Sequence, residues 1–325
     1  MASKLIFVDD SLPGISRRKI RNKWAYFDAQ GERITERDEI DRLNRIGLPP
    51  AYVDTWFAPS ERAHILATGL DARGRKQYRY HPDFRAERDA EKFDGCARFG
   101  RLLPLIRARV EDDLALRTLS QERAIASIVR LLDSVRIRIG NESYAKSNKS
   151  FGATTLRMKH AKIRGSKLLL RFKAKSGKQC EIGMTDTRLI RFVKQMEDMP
   201  GQHLFQYLRE DGDPAPVTSS DVNAYIRETM GADFTAKHFR TWRASALAFE
   251  WLAEEKSTGL NDMLAFVAEH LCNTPAIARK SYVHPTLIDI AKDRPLAFRE
   301  DLHLPRKTRW LSRYERGLID CLEAH

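Results

Sequence analysis

The feature that most constrains this chain is a change of texture at His81-Pro82. Before it, short apolar stretches alternate with turn residues. After it, apolar residues recur at three- and four-residue steps, and Gly and Pro become sparse. A period near two specifies half-buried strands, whereas a period near 3.6 specifies amphipathic helices. The chain is therefore expected to be α+β, with a small antiparallel β-rich domain over residues 1–82 and a larger, mainly helical domain over 83–325. Its 325 residues are long for one compact domain and comfortable for two.

Within the first part, Trp24–Ile34 reads as a hairpin turning at Ala29-Gln30-Gly31, and Thr35 reads as the cap of a helix over Glu36–Arg45. Strands are expected over Tyr52–Phe57, His64–Leu70 and Lys76–His81. In the second part, helices are expected over Phe84–Phe93, Leu102–Leu116 and Ser120–Arg136. A three-stranded island follows over Thr154–His160, Leu168–Lys173 and Gln179–Met184, with turns at Gly165-Ser166 and Ser176-Gly177. Helices resume over Thr187–Met196, Ser219–Met230, Ala236–Leu252, Leu260–Leu271 and Thr274–Tyr282. The tail Arg309–Glu323 spaces Trp310, Tyr314, Leu318 and Leu322 as a docked amphipathic helix.

Charge gives the first hint of a partner. Lys+Arg number 57 and Asp+Glu 44, a net +13 with a pI near 9.6. Such an excess suits a polyanion, nucleic acid before an anionic membrane surface. Cys96, Cys180, Cys272 and Cys321 form neither a CxxC pair nor a zinc-like cluster, which fits a reducing compartment. The apolar run Leu5–Val8 is too short for a signal-peptide core, and no stretch approaches the roughly 18 apolar residues of a membrane span. A cytoplasmic protein without a membrane segment is expected.

Several motifs are missing. There is no GxxxxGK[ST] loop, no GxGxxG after a strand, no HExxH, no GxSxG and no paired carboxylates of the two-metal kind. Neither a cofactor nor a metal is expected. Four segments in the second part stand out instead. They are Arg136-Ile-Arg138-Ile-Gly-Asn-Glu142-Ser-Tyr144, Phe172-Lys-Ala-Lys175-Ser-Gly-Lys178, Lys237-His-Phe-Arg240-Thr-Trp-Arg243, and Asn273-Thr-Pro followed by Lys280-Ser-Tyr282.

Phosphodiester transesterification needs parts of these kinds. A nucleophile attacks phosphorus, and the oxygens that gain charge need fixed donors. Arginine stays charged and can grip two oxygens with one planar fork. The departing oxygen needs a proton, which a lysine can supply. A tyrosine, with a pKa of roughly 10, attacks poorly until cations favour the phenolate. Taken singly, Arg138, Lys175 and Arg240 read as surface or ion-pairing residues and Tyr282 as a half-buried core residue. Their joint occurrence and order carry the case.

These segments resemble type IB DNA topoisomerases, in particular the small poxvirus-like enzymes of bacteria. The resemblance rests on Arg138-Ile-Gly-Asn-Glu, Phe151-Gly-Ala-Thr-Thr-Leu156, Phe239-Arg-Thr-Trp242, Asn273-Thr-Pro and Lys280-Ser-Tyr282, and spans most of the chain. It implies a tyrosine recombinase/topoisomerase IB-like catalytic domain that relaxes supercoiled duplex DNA without ATP or metal. Tyr282 would form a transient 3′-phosphotyrosyl linkage, the free 5′ end would rotate, and the strand would be rejoined. Arg138 and Arg240 would hold the non-bridging oxygens. Lys175 would be the general acid, in a Phe-Lys-Ala-Lys turn where the family has Phe-x-Gly-Lys, with Lys173 and Lys178 as rivals. Asn273 stands where many relatives carry histidine, and it can donate a hydrogen bond but carries no charge.

The resemblance further implies a DNA clamp, with Gln77, Tyr78 and Tyr80 as contacts from the β domain and Tyr144 as a contact near the scissile phosphate. Strand alternation puts Tyr78 and Tyr80 on one face, which reads equally well as an aromatic core face. A monomer acting on double-stranded DNA in the nucleoid is expected. A tyrosine site-specific recombinase is the alternative, although Lys237 stands where its His-x-x-Arg motif has histidine. A DNA-binding module without catalysis is the other.

Overall fold

The computed structural model describes residues 5–21, 23–135, 137–254 and 259–324. The chain divides into two compact units, Met1–Glu91 and Lys92–His325. The first contains one five-stranded antiparallel sheet. Its strands are β1 (Ile15–Ile20), β2 (Lys23–Phe27), β3 (Val53–Phe57), β4 (Ile65–Leu70) and β5 (Lys76–Tyr80), in the order β2-β1-β3-β4-β5. Helix α1 (Arg37–Arg45) lies between β2 and β3 in sequence. Ile15, Tyr26, Leu43, Leu48, Phe57 and Ala67 form the core.

Strand β1 was not expected, because Arg17-Arg18-Lys19 gives it no apolar alternation. The charge is accommodated locally. The Arg17 guanidinium donates to the carbonyls of Leu48 and Pro49 at 2.9 Å each and lies 4.3 Å from the Trp24 ring centroid. The expected Trp24–Ile34 hairpin is correspondingly reduced. β2 pairs with β1, and the Asp28 turn adds only one bridge, Phe27 to Arg33. Helix α1 starts after Glu36 with no side-chain cap, so Thr35 does not cap it. Gly47, at φ +65°, follows its end in the left-handed conformation that glycine adopts without penalty.

Helix α2 (Pro82–Asp94) runs across the division. The second unit continues with α3 (Cys96–Ala115), α4 (Gln121–Val135) and α5 (Glu142–Asn148). A three-stranded sheet β6-β7-β8 follows, from β6 (Ala161–Arg164), β7 (Lys167–Lys173) and β8 (Gln179–Met184). Then come α6 (Thr187–Glu197), a small pair β9 (Gln206–Leu208) and β10 (Pro214–Pro216), and α7 (Ser219–Met230). The chain ends with α8 (Ala236–Glu254), α9 (Leu260–His270), α10 (Pro275–Ser281), α11 (Pro285–Asp293), α12 (Pro295–Asp301) and α13 (Arg313–Glu323). No described helix is long and apolar enough to cross a membrane.

The first strand of the island is displaced. Thr154–His160, expected to be extended, forms two 3₁₀ turns, Ala153–Thr155 and Met158–His160, and the sheet begins at Ala161. Thr154 and Thr155 spend their hydroxyls on local backbone groups, Thr154 Oγ1 on Ile139 O at 3.0 Å and Thr155 Oγ1 on Gly152 at 2.9–3.1 Å.

Helix α8 is buried almost all round, with Phe239, Trp242, Ala246 and Phe249 each no more than 2% exposed. Such a helix belongs in the centre of a core. Gly100 on α3 lets it come close, since a Cβ there would fall 2.2 Å from the Trp242 ring. Trp242 Nε1 donates to Glu315 of α13 at 3.3 Å. Arg107 of α3 also binds Glu315, at 2.6 Å, and Asp133 of α4, at 2.8 Å. Burial pushes the Glu315 carboxyl upward, and the Arg107 hydrogen bond and charge outweigh it, so the group stays below its ordinary range. The charge is paired and hydrogen-bonded, as a buried ion must be. The docked tail helix expected at Arg309–Glu323 is thus α13, beginning at Arg313 behind a Ser312–Glu315 capping box.

Gly100→Ala tests this packing. Alanine gains about 0.5–1 kcal/mol of helix preference, but overpacking a tight core costs about 1–3 kcal/mol. The clash is with a buried ring, so net destabilisation is expected, read as a lower urea midpoint. An unchanged or higher midpoint would show that α3 and α8 can separate freely.

Candidate active site

The site is assembled in the second unit from four places in the sequence. The first is the segment after α4. Arg138 is half-buried there, and its backbone is clasped by residues 151–155. Ala153 N donates to Arg138 O and Thr154 N to Ile139 O, each at 2.8 Å. Glycine is required on both sides of the clasp. Gly140 has φ +95°, and a Cβ on Gly152 would lie 2.5 Å from Arg138 O and 2.6 Å from Gly140 Cα. The two motif pieces Arg138-Ile-Gly and Phe151-Gly-Ala-Thr-Thr are therefore one structural device.

The second place is the β7–β8 turn. Phe151 N donates to Lys173 O at 2.8 Å, which joins the clasp to the end of β7. Ala174 N donates to Lys178 O at 2.8 Å and closes the turn. Lys175 is exposed on this turn, in the 3₁₀ segment Lys175–Gly177. Ala174 is buried. Lys178 reaches away from the turn, and its Nζ donates to the Asn273 carbonyl at 2.9 Å.

The third place is α8, which presents Arg240 at 5% exposure. Its Nη2 donates to the Leu271 carbonyl. Burial in the first place, and then the neighbouring Arg138 charge, pull this guanidinium down to about 10. His238 accepts from Thr235 N at 2.9 Å and packs between Phe99 and Phe234.

The fourth place is the Leu271–Tyr282 segment. Asn273 is buried, and its N–H donates to Ala268 O at 2.9 Å. Thr274 caps α10 by accepting from Ile277 N, and Pro275 occupies its first turn, where no N–H is needed. Tyr282 ends α10. Ser245 of α8 braces the following residues by accepting from His284 N at 3.1 Å.

These places converge on the Tyr282 phenol. Arg138 Nη2 lies 3.4 Å from Tyr282 Oη and donates to Asn273 Oδ1 at 2.8 Å. The Arg240 guanidinium carbon is 4.9 Å from the Tyr282 ring centroid. Burial pushes the phenol upward, but Arg138 and Arg240, by charge and hydrogen bonding, overcome it and leave the phenol below its ordinary range. Because Asn273 Oδ1 is committed to Arg138, its Nδ2 faces inward as a donor with no acceptor among the described residues. A buried donor of that kind costs about 1–3 kcal/mol, which an anionic oxygen would recover. The arrangement can bind an anion at the phenol and favour the phenolate. Among the described residues, no group of three or more His, Cys, Asp and Glu side chains could hold a metal ion.

Arg138, Arg240, Asn273 and Tyr282 are thus brought together, and Lys175 stands exposed on the adjoining turn. Gln77, Tyr78 and Tyr80 lie on β5 of the first unit. Tyr78 and Tyr80 are 42% and 43% exposed with rings stacked 5.7 Å apart, so they form a surface ladder and not a core face. Gln77 Nε2 donates to Asp71 at 3.1 Å. Tyr144 falls in α5, and its side chain lies outside the described residues. The anchoring role of Lys178 and the brace from Ser245 were not anticipated. The Lys178 contact spans 95 residues of sequence, and no motif marks Ser245.

Comparison with known proteins gives a consistent set of relatives. The family described as "Eukaryotic DNA topoisomerase I, catalytic core" matches residues 81–298. The family described as "Bacterial DNA topoisomerase IB, N-terminal domain" matches residues 23–71. DNA topoisomerase 1B of Acanthamoeba polyphaga mimivirus is 33% identical over 306 residues, covering 89% of this chain and 90% of that protein. DNA topoisomerase I of Monkeypox virus is 22% identical over 246 residues, covering 75% and 77%. Among solved structures, the XerH site-specific recombinase bound to its palindromic substrate aligns with a TM-score of 0.38 at 14% identity, covering 58% of this chain and 50% of that one. A likeness that distant bears no weight on function.

The electrostatics of the phenol can be tested directly. With ¹³C-labelled tyrosine, the resonance lost in Tyr282→Phe is expected to titrate below the ordinary tyrosine value. Arg138→Ala removes the largest opposing charge and leaves burial in place, so the titration should move up in pH. A Tyr282 resonance that does not respond to Arg138→Ala would show that the two groups are not coupled.

Proposed function

This chain belongs to the type IB DNA topoisomerases, and from that premise we propose that Tyr282 is its nucleophile. The observation that carries the reading is the Arg138–Tyr282 contact of 3.4 Å, with Arg240 over the same ring. Two cations beside one phenol serve two ends. They favour the phenolate before attack, and they neutralise the phosphoryl oxygens that gain charge during it.

The step is a transesterification. Tyr282 Oη forms a bond to phosphorus, the phosphorus–O5′ bond breaks, and the departing 5′ oxygen takes a proton. The 3′ end is left on the tyrosine. Arg138 and Arg240 hold the non-bridging oxygens, and the inward-facing Asn273 Nδ2 donates to one of them. Lys175 supplies the proton, in keeping with its exposed place on the turn joined to the clasp of Arg138. Lys178 is less suited, because its ammonium is engaged by the Asn273 carbonyl. Rotation of the free 5′ end releases supercoiling, and reversal of the same step rejoins the strand. The phosphodiester bond energy is kept in the phosphotyrosine, so no nucleotide is needed. The charge stabilisation comes from side chains, so no metal is needed.

Duplex DNA is the substrate in this reading, bound through a chain with net charge +13. Tyr78 and Tyr80, exposed on β5, and Gln77 beside them are proposed as further DNA contacts, with Tyr144 as another. We take the protein to act as a monomer in the cytoplasm, on the nucleoid. A site-specific recombinase would use the same tyrosine chemistry. Lys237, exposed in the position of the recombinase histidine, does not favour it.

Two outcomes are expected. Tyr282→Phe should abolish relaxation of plasmid DNA in the absence of ATP while retaining most DNA affinity in a binding assay. Relaxation near the wild-type rate would remove Tyr282 from the chemistry. Lys175→Ala should slow single-turnover cleavage by about 100- to 10,000-fold, the usual worth of a general acid. A substrate with a 5′-bridging sulfur, which leaves without a proton, should restore it. If the sulfur substrate rescues Lys178→Ala and not Lys175→Ala, the proton comes from Lys178.

A further inference from the structure

The chemistry above makes no use of the His284 side chain, two residues beyond Tyr282. Helix α10 ends at Ser281 and α11 begins at Pro285, so Tyr282, Val283 and His284 are the whole joint between two helices. The joint is held at three points. On the α10 side, the N–H groups of Tyr282 and Val283 both donate to the Ala278 carbonyl at 3.0 Å. In the middle, Val283 is fully buried, and Ser245 Oγ of α8 accepts from His284 N at 3.1 Å and lies 3.4 Å from Tyr282 O. On the α11 side, the His284 side chain is the cap. Its Nδ1 accepts from Thr286 N at 3.3 Å, while its carbonyl accepts from Leu287 N at 3.1 Å.

Ser, Thr, Asp and Asn are the usual caps, because their oxygens accept at any ordinary pH. An imidazole can accept there only when neutral, in the tautomer that carries its proton on Nε2. The surroundings of His284 favour that state. The ring is half-buried and stands edge-on to buried Phe93 at the end of α2, with centroids 5.5 Å apart and planes at 79°. A helix N-terminus also disfavours a cation. Burial pulls the imidazole below its ordinary 6.5, with the Phe93 backbone and the Asp94 charge opposing. Asp94 is the charged group acting on it, since its partners on α8 and α11, Ser245 and Thr286, are uncharged.

We propose that His284 is a positioning residue for strand cleavage: its neutral ring caps α11 and so fixes the direction in which the joint presents Tyr282 to Arg138 and Arg240. This rests on the nucleophile role given to Tyr282 above. Protonation would set an Nδ1–H against the Thr286 N–H and place a charge at the helix N-terminus. The cap would open and leave the joint held at two points. A misplacement of about 1 Å near reacting groups costs on the order of 100-fold in rate. The Arg138–Tyr282 contact, at 3.4 Å, has no slack for a shift of that size. The sign follows from the lowered imidazole. Positioning is complete above its pKa and is lost as pH falls through it, on the acid side of 6.5.

The test is single-turnover cleavage of a duplex by the full-length protein from about pH 5 to 8, the range in which histidine titrates, with DNA affinity measured alongside. The wild-type rate should fall toward acid. His284→Ala should cleave on the order of 100-fold more slowly at neutral pH, with its DNA affinity unchanged. In that variant the Tyr282 resonance should titrate higher, as the phenol draws away from Arg138. His284→Asn supplies an oxygen to the same cap and does not titrate. It should restore the neutral rate and remove the acid fall. Wild-type cleavage by His284→Ala overturns the positioning role, as does a His284→Asn rate as slow as that of His284→Ala. Identical pH profiles for the wild type and His284→Asn overturn the neutral cap. Failure of the nucleophile reading shows separately, as cleavage that survives Tyr282→Phe.

Discussion

Two guanidinium groups held against one phenol set the terms for the rest of the catalytic unit. Like charges this close repel, and the effect is visible in Arg240, which burial and Arg138 together pull down to about 10. The fold meets that cost with acceptors that carry no charge. Arg240 rests on the Leu271 carbonyl and Arg138 on the Asn273 side-chain oxygen. Neutral acceptors leave the positive charge available to a ligand, where a carboxylate partner would cancel it. An anion at the phenol relieves the repulsion, so the site is preorganised for an anion and against itself.

Holding such a site needs rigid supports, and each basic residue has one. Arg138 is fixed by the glycine clasp of Gly140 and Gly152, where neither position has room for a Cβ. Arg240 stands on α8, which Trp242 and Gly100 pack tightly against α3. The Arg107–Glu315–Asp133 cluster then ties α3, α4 and α13 together. Tyr282 is placed by a helix that begins at a Thr-Pro cap and whose following residues are braced on α8 by Ser245.

Much of this was legible in the sequence, for reasons that also explain what was not. Long periodic segments such as Ser219–Met230 and the buried stretch of α8 read correctly, because their apolar spacing reports the face they bury. Strand β1 did not, because Arg17 satisfies its charge on the Leu48 and Pro49 carbonyls and on the Trp24 ring, contacts that spacing does not encode. Residues 154–160 look extended, yet the clasp around Arg138 takes their backbone groups first. Helices α11 and α12 open at Pro285 and Pro295, which read more readily as breaks than as first turns. The members of the candidate site were recognisable by type and order. Their supports were not. Lys178 meets Asn273 across 95 residues, and only the folded chain brings them together.

The most direct test of the central claim is to find which side chain becomes joined to DNA. The full-length protein would be reacted with a duplex whose short scissile strand is lost on cleavage, then digested and mapped by mass spectrometry. The site predicts one nucleotide-bearing peptide, with the modification on Tyr282. A covalent adduct mapped to any other residue, with Tyr282 unmodified, would contradict it.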